Sequence, residues 1–159
     1  MQPKRASESA TEMVQVVLPN DANPLGFILG GTVMHLIDIA GAIASFRHAR
    51  SRVVTAAVDD LVFLHPIKVG DLIVLRAHVT CTFKTSLEVQ VDVFSEEALT
   101  GARRMTSRAF LTFVAIDENG AHVEVPPLMV ESDEEQRVCE DARGRRAQRL
   151  QRRTAAQGA

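Results

Sequence analysis

The stretch Thr32–His48, TVMHLIDIAGAIASFRH, decides the fold. Val33, Met34, Leu36, Ile37, Ile39, Ala40, Ala42, Ile43, Ala44 and Phe46 put apolar side chains on almost every side of a helix, not on one stripe. A helix that is apolar all round is buried all round. In a chain of 159 residues this requires something to wrap it. Gly30, Gly31 and Thr32 mark its start. Arg47, His48 and Arg50 place positive charge at its end, where the helix dipole favours it.

Upstream, Met13–Leu18 reads as a short strand, and the turn formers of Pro19–Gly26 read as a loop. Downstream the period changes to that of strands. Arg52–Leu64 is rich in β-branched residues. In Leu72–Phe83, Leu75, Ala77, Val79 and Cys81 alternate with Arg76, His78, Thr80 and Thr82. Leu87–Phe94 alternates again, and Met105–Ile116 forms a long last strand. One strand, one enclosed helix and about four antiparallel strands give an α+β class. An antiparallel sheet curled round the central helix meets both demands, burying the helix and wetting the polar strand faces. Residues 1–12 are polar and expected to be disordered, and 13–129 form the domain. Residues 130–159 form a charged, Arg-rich tail, either a solvated helix or a partly disordered segment.

With a net charge of −2, no global positive field recruits nucleic acid, so any anion site is local. No apolar run approaches the ~20 residues of a membrane span. Met1–Ala10 lacks the apolar core of a signal peptide. Cys81 and Cys139 are far apart and lack metal-site spacing, so they are expected as two free thiols in a reducing cytoplasm.

Asp38 lies inside the most apolar segment of the chain. A carboxylate there is costly unless bonded, paired or functional. Two readings stand: a structural acid bonded to backbone or to an arginine, or a reactive one. His35 precedes it by three residues and shares its helix face. It reads as a packed residue or as the second half of a general-base pair. Gly30 and Gly31 either mark a loop or offer free N–H groups to a developing negative charge. Ser45, Ser86 and Ser107 lie in no nucleophile elbow. The five histidines are scattered, and no metal is expected.

Several segments together resemble the acyl-CoA hydrolases with the hot-dog fold: Asp21–Gly26, Gly30-Gly31, Met34, Ile37–Ala42, Arg47-His48, Val54–Ala56, Phe63–Ile67, Val69–Asp71 and Lys84–Val89. The resemblance spans about residues 12–127. It implies the hot-dog fold, a curved antiparallel sheet wrapped around a long central α-helix. It also implies a homodimer as the catalytic unit, assembled further as a homohexamer (a trimer of dimers), with active sites at the dimer interface. The catalytic pair of that family maps onto Asn23 of one protomer and Asp38 of its partner.

Cleavage of acyl-CoA to fatty acid and CoA would then use Asp38 as general base or nucleophile. Asn23 would orient water or polarise the carbonyl, with backbone N–H groups of Gly30 and Gly31 as oxyanion donors. No cofactor is expected, since coenzyme A is part of the substrate. Its phosphates would meet Lys84, Thr85 and Ser86, with Arg143, Arg145 and Arg146 from the tail. Two alternatives share the fold: a non-hydrolytic acyl-CoA-binding regulator, and a 3-hydroxyacyl thioester dehydratase using His35 with Asp38.

Overall fold

The computed structural model describes residues 1–158. Short β1 (Lys4–Arg5) and a 3-10 turn lead into β2 (Thr11–Val16). A loop then feeds α1 (Gly30–Ala49), followed by β3 (Arg52–Phe63), β4 (Leu72–Thr82), β5 (Ser86–Glu96) and β6 (Arg103–Ile116). A two-residue β7 (Leu128–Met129) precedes the long α2 (Asp133–Gln157). The main sheet runs β2-β4-β5-β6-β3, antiparallel throughout, and β1 pairs with β7 in parallel. α1 packs against all five strands of the main sheet. This is the wrapped-helix α+β architecture expected from the sequence.

Leu75, Val79, Val89, Val91, Leu111 and Phe113 project from the sheet onto Ile37, Ala40 and Ala44 of α1 and form the core. Gly41 sits where the sheet approaches closest. A Cβ there would come within 2.9 Å of the Phe113 ring. Only one side of α1 is covered, however. Met34 and Phe46 remain 47% and 45% exposed. An isolated chain therefore leaves bare part of the helix that its pattern says is buried.

Three differences from the sequence expectations have physical causes. First, residues 1–12 are folded. Lys4 donates from its ammonium to the carbonyls of Arg47 (2.6 Å) and His48 (2.9 Å), capping the last turn of α1. Ser9 is buried, and its hydroxyl accepts the Val79 N–H. Second, the register of β4 against β5 slips at Thr80, so Cys81 stands opposite Glu88 on the outer face, not with Ala77 and Val79 inside. Third, the tail takes the helical of its two expected forms, as α2, but is docked against β4 and not solvated. Ser132 caps it by accepting the Glu135 N–H (3.1 Å), while the Glu135 side chain accepts the Glu131 N–H.

The slip at Thr80 brings Cys81 under α2, where it is disulfide-bonded to Cys139. The expectation of two free thiols is thereby overturned. The sequence separation hid a proximity that only the bulge and α2 create.

Candidate active site

Asn23 sits in the loop ahead of α1, on a turn closed by its own backbone. Its N–H donates to Phe27 O (2.8 Å), and Gly26 N–H donates to Asn23 O (3.0 Å). Gly26 takes φ +86°, a conformation open to glycine. The side-chain Oδ1 accepts from the N–H of Leu25 (3.0 Å) and of Phe27 (3.2 Å). Two backbone donors thus fix which end of the amide is oxygen, and the NH2 end is left as a positioned donor. Ile28 N–H to Ile67 O and Leu29 N–H to Asp21 O tie the loop down.

Immediately after it, α1 begins with no side-chain cap. Thr32 and Val33 direct their N–H groups to Leu29 O. Among the described residues, the N–H groups of Gly30 and Gly31 have no acceptor. Unspent donors at the positive end of a helix suit an anion. Asn23 and Gly30 share the wall of a cavity of about 340 Å³ with Phe63, His65 and Ser107.

Asp38 lies two turns further on. It is half-buried, and its Oδ1 accepts a 2.6 Å hydrogen bond from the Thr55 hydroxyl on β3. β3 slips register against β6 between Thr55 and Ala57, which lets Thr55 and Val58 both face α1. Asp38 and Thr55 line a second cavity, about 230 Å³, whose other walls are Met34, Ile37, Val58, Leu61 and Leu111. It is a carboxylate in an otherwise apolar chamber. His35 is exposed and is not the partner of Asp38. Thr55 was missed from the sequence, because it shares the inner face with Val53 by plain alternation and nothing in its residue type marks the acid it meets.

The two predicted catalytic residues therefore occupy separate cavities of one chain. Eight residues of helix separate Gly30 from Asp38, about 12 Å of rise. Between the cavities runs an apolar face formed by Met34, Val58 and Phe63, beside β3 at the sheet edge. Exposed edge strands with apolar flanks are pairing surfaces.

The predicted phosphate contacts divide. Lys84, Thr85 and Ser86 form the β4–β5 turn, closed by Phe83 N–H to Ser86 O (2.8 Å) and braced by Ala115 N–H to Thr85 O (2.9 Å). Lys84 is exposed. Arg146 reaches the same place, its guanidinium 4.8 Å from the Phe83 ring centroid, and Arg143 is exposed on α2. Arg145 turns the other way and is a correction to the expected set. It makes two 2.9 Å bonds to the buried Glu88 carboxylate and stacks 3.7 Å over the Phe110 ring. The hydrogen bond to Glu88 raises the Arg145 pKa above its ordinary value, so the guanidinium stays charged.

The model of the thioesterase superfamily matches residues 25–102. An uncharacterized acyl-CoA thioester hydrolase of Bacillus subtilis is 40% identical over 128 residues, covering 80% of this chain and 74% of its own. A hexameric acyl-CoA thioesterase solved without ligand is 41% identical with a TM-score of 0.90, covering 96% of this chain and 97% of that one. An acyl-CoA hydrolase of Staphylococcus aureus, solved with butyryl coenzyme A, coenzyme A and coenzyme A disulfide, is 34% identical with a TM-score of 0.88, covering 98% of this chain and 94% of that one. Several mammalian relatives are longer, and the chain spans 25–38% of their length.

Proposed function

Since the chain belongs to the acyl-CoA thioester hydrolases of the thioesterase superfamily, we propose that it hydrolyses acyl-coenzyme A to a free carboxylic acid and coenzyme A, with Asp38 as general base. The observation that carries this reading is the Asp38 carboxylate, oriented by Thr55 in an apolar chamber. The Thr55 hydroxyl occupies Oδ1 and leaves Oδ2 for a water. Asp38 takes a proton from that water as its oxygen attacks the thioester carbonyl. The oxygen charge that develops meets donors: the Asn23 amide and the N–H groups of Gly30 and Gly31. Collapse breaks the carbon–sulfur bond, and the proton held by Asp38 goes to the departing sulfur.

No single chain assembles this constellation. A two-fold axis beside β3 would bury the bare face of α1 and bring Asn23 of one protomer to the partner's Asp38. The homodimer is accordingly the catalytic unit of our reading. A homohexamer follows the hexameric relative, and in our reading three such dimers build it. The Lys84–Ser86 turn with Arg146 would take the phosphates of coenzyme A, leaving the chamber beside Asp38 for the acyl chain. We place the protein in the cytoplasm, in line with the mammalian relatives named as cytosolic. There the Cys81–Cys139 bond stands against a reducing pool.

The test is thiol release from coenzyme A esters of graded length. The wild type should release thiol. Asp38→Asn and Asn23→Ala should each lose about 10²–10⁴-fold with the oligomer intact. Full activity in both variants would remove the mechanism. Binding without thiol release by the wild type would favour the regulator.

A further inference from the structure

α2 is fastened across the outer face of the sheet at three points on one helical stripe. Cys139 is bonded to Cys81 on β4. Arg145 is paired with Glu88 on β5. Arg149, one turn further on, donates at 2.8 Å to the Asp59 carboxylate on β3. The third attachment differs from the other two, because β3 is the edge strand and is irregular where Arg149 holds it. Register against β6 is lost between Asp59 and Val62, and Asp60 adopts φ +56°, a left-handed conformation uncommon for any residue but glycine. The side chains of Asp59 and Arg149 are only 14% and 23% exposed, so their pair is shielded from solvent more than a surface pair is.

The inner side of the same irregular segment is the acyl chamber. Val58 precedes Asp59 and Leu61 follows Asp60, and both line the cavity beside Asp38. An outward-facing carboxylate gripped from α2 thus lies between two inward-facing residues of the chamber wall. Where its ladder to β6 is broken, the grip from α2 is what holds that wall from its outer side.

We propose that Arg149 is a positioning residue for acyl-chain selection. By holding Asp59 it fixes the Asp59–Val62 bulge, and through it the positions of Val58 and Leu61 against the acyl group. This rests on the thioester hydrolase reading above. Arg149 touches neither substrate nor the reacting atoms. Its effect appears in which ester is preferred, not in the chemical step. Losing the grip lets the bulge relax and the wall move. Esters whose chain packs on Val58 and Leu61 are then penalised, while an acetyl group too short to reach the wall is not.

The test measures kcat and KM for esters from acetyl- to long-chain coenzyme A, using the full chain with its disulfide intact. In Arg149→Ala, kcat/KM for the preferred ester should fall about 10- to 100-fold, the scale of a lost methylene contact in an apolar pocket. The acetyl ester, which makes no such contact, should change less than about twofold. Most of the loss should lie in KM. Arg149→Lys, which keeps the charge, should recover part of the preference. Asp59→Asn, nearly isosteric, should reproduce the alanine profile even if Arg149→Ala folds poorly. A purely structural role would lower the rates on all esters by one common factor and leave their ratios as in wild type. Unchanged ratios in Asp59→Asn, or a wild type with no chain-length preference, would overturn the proposal. A wild type that releases no thiol from any ester would instead overturn the functional reading beneath it.

Discussion

Arg145→Ala separates two roles that the Arg-rich helix can play. The Glu88 side chain is 2% exposed and that of Arg145 is 17% exposed, and two bonds of 2.9 Å join them. Removing the arginine leaves a carboxylate buried with only the Thr80 hydroxyl, 2.6 Å away, to satisfy it. Breaking a buried ion pair costs about 3–5 kcal/mol, and because solvent reaches one side of Arg145 the expected loss is about 3 kcal/mol. For a domain of this size that lowers Tm by about 6–12 °C. The assay is thermal unfolding by circular dichroism, paired with KM for an acyl-CoA at low and high salt. We expect Tm to fall and KM to hold. The double variant Glu88→Leu with Arg145→Met removes both charges and should recover most of the loss. A Tm within about 2 °C of wild type, together with a KM that rises and loses its salt dependence, would refute the reasoning and return Arg145 to the phosphates.

Lys84→Ala and Arg146→Ala should raise KM a few-fold each, with kcat unchanged and the effect shrinking as salt screens the site; steady-state kinetics across ionic strength checks this. Gly41→Ala sets a gain of about 1 kcal/mol in helix propensity against overpacking of about 1–3 kcal/mol on the Phe113 ring. It should therefore lower stability in urea unfolding, and Phe113→Leu in the same chain should restore it. The Cys81–Cys139 bond spans 58 residues, so Cys139→Ser should cost about 4 kcal/mol in oxidising buffer and nothing in reductant. The ring of His48 is buried, with one nitrogen 2.7 Å from Pro126 O and the other without a partner. Burial holds its pKa below the ordinary 6.5. The unfolded chain then takes up the proton first as pH falls. The stability His48 contributes is complete above about 6.5 and is lost below it, so Tm measured from pH 7 to 5 should fall less steeply in His48→Gln.

The central helix was legible because ten apolar residues in seventeen leave no polar face, and Asp38 was legible because a carboxylate in such company demands a reason. Asn23 became legible only through the family pattern, since its role depends on turn geometry that Asn shares with many loops. What escaped the sequence passes through bulges. Simple alternation put Cys81 inside, and one slipped residue at Thr80 put it outside. The same device at Ala56 put Val58 on the chamber side together with Thr55. Bulges are single-residue events with little compositional mark, so period-two reasoning carries past them. The docking of α2 was the more readable omission. Ser132 followed by Glu135 is a helix-start signature, and Cys139, Ala142, Arg145 and Arg149 recur at helical spacing on the face that turns inward.

The lodging of Asn23 and Asp38 in separate chambers has a genetic meaning. In the proposed two-fold dimer, an allele lacking one of these side chains and an allele lacking the other should each be silent alone. Expressed together, their mixed dimers regain one complete site of two, so random mixing restores about a quarter of full turnover. A null copy beside a sound one poisons nothing, because sites are lost only in proportion to defective chains. Inheritance of such lesions would be recessive, with allele pairs that rescue one another.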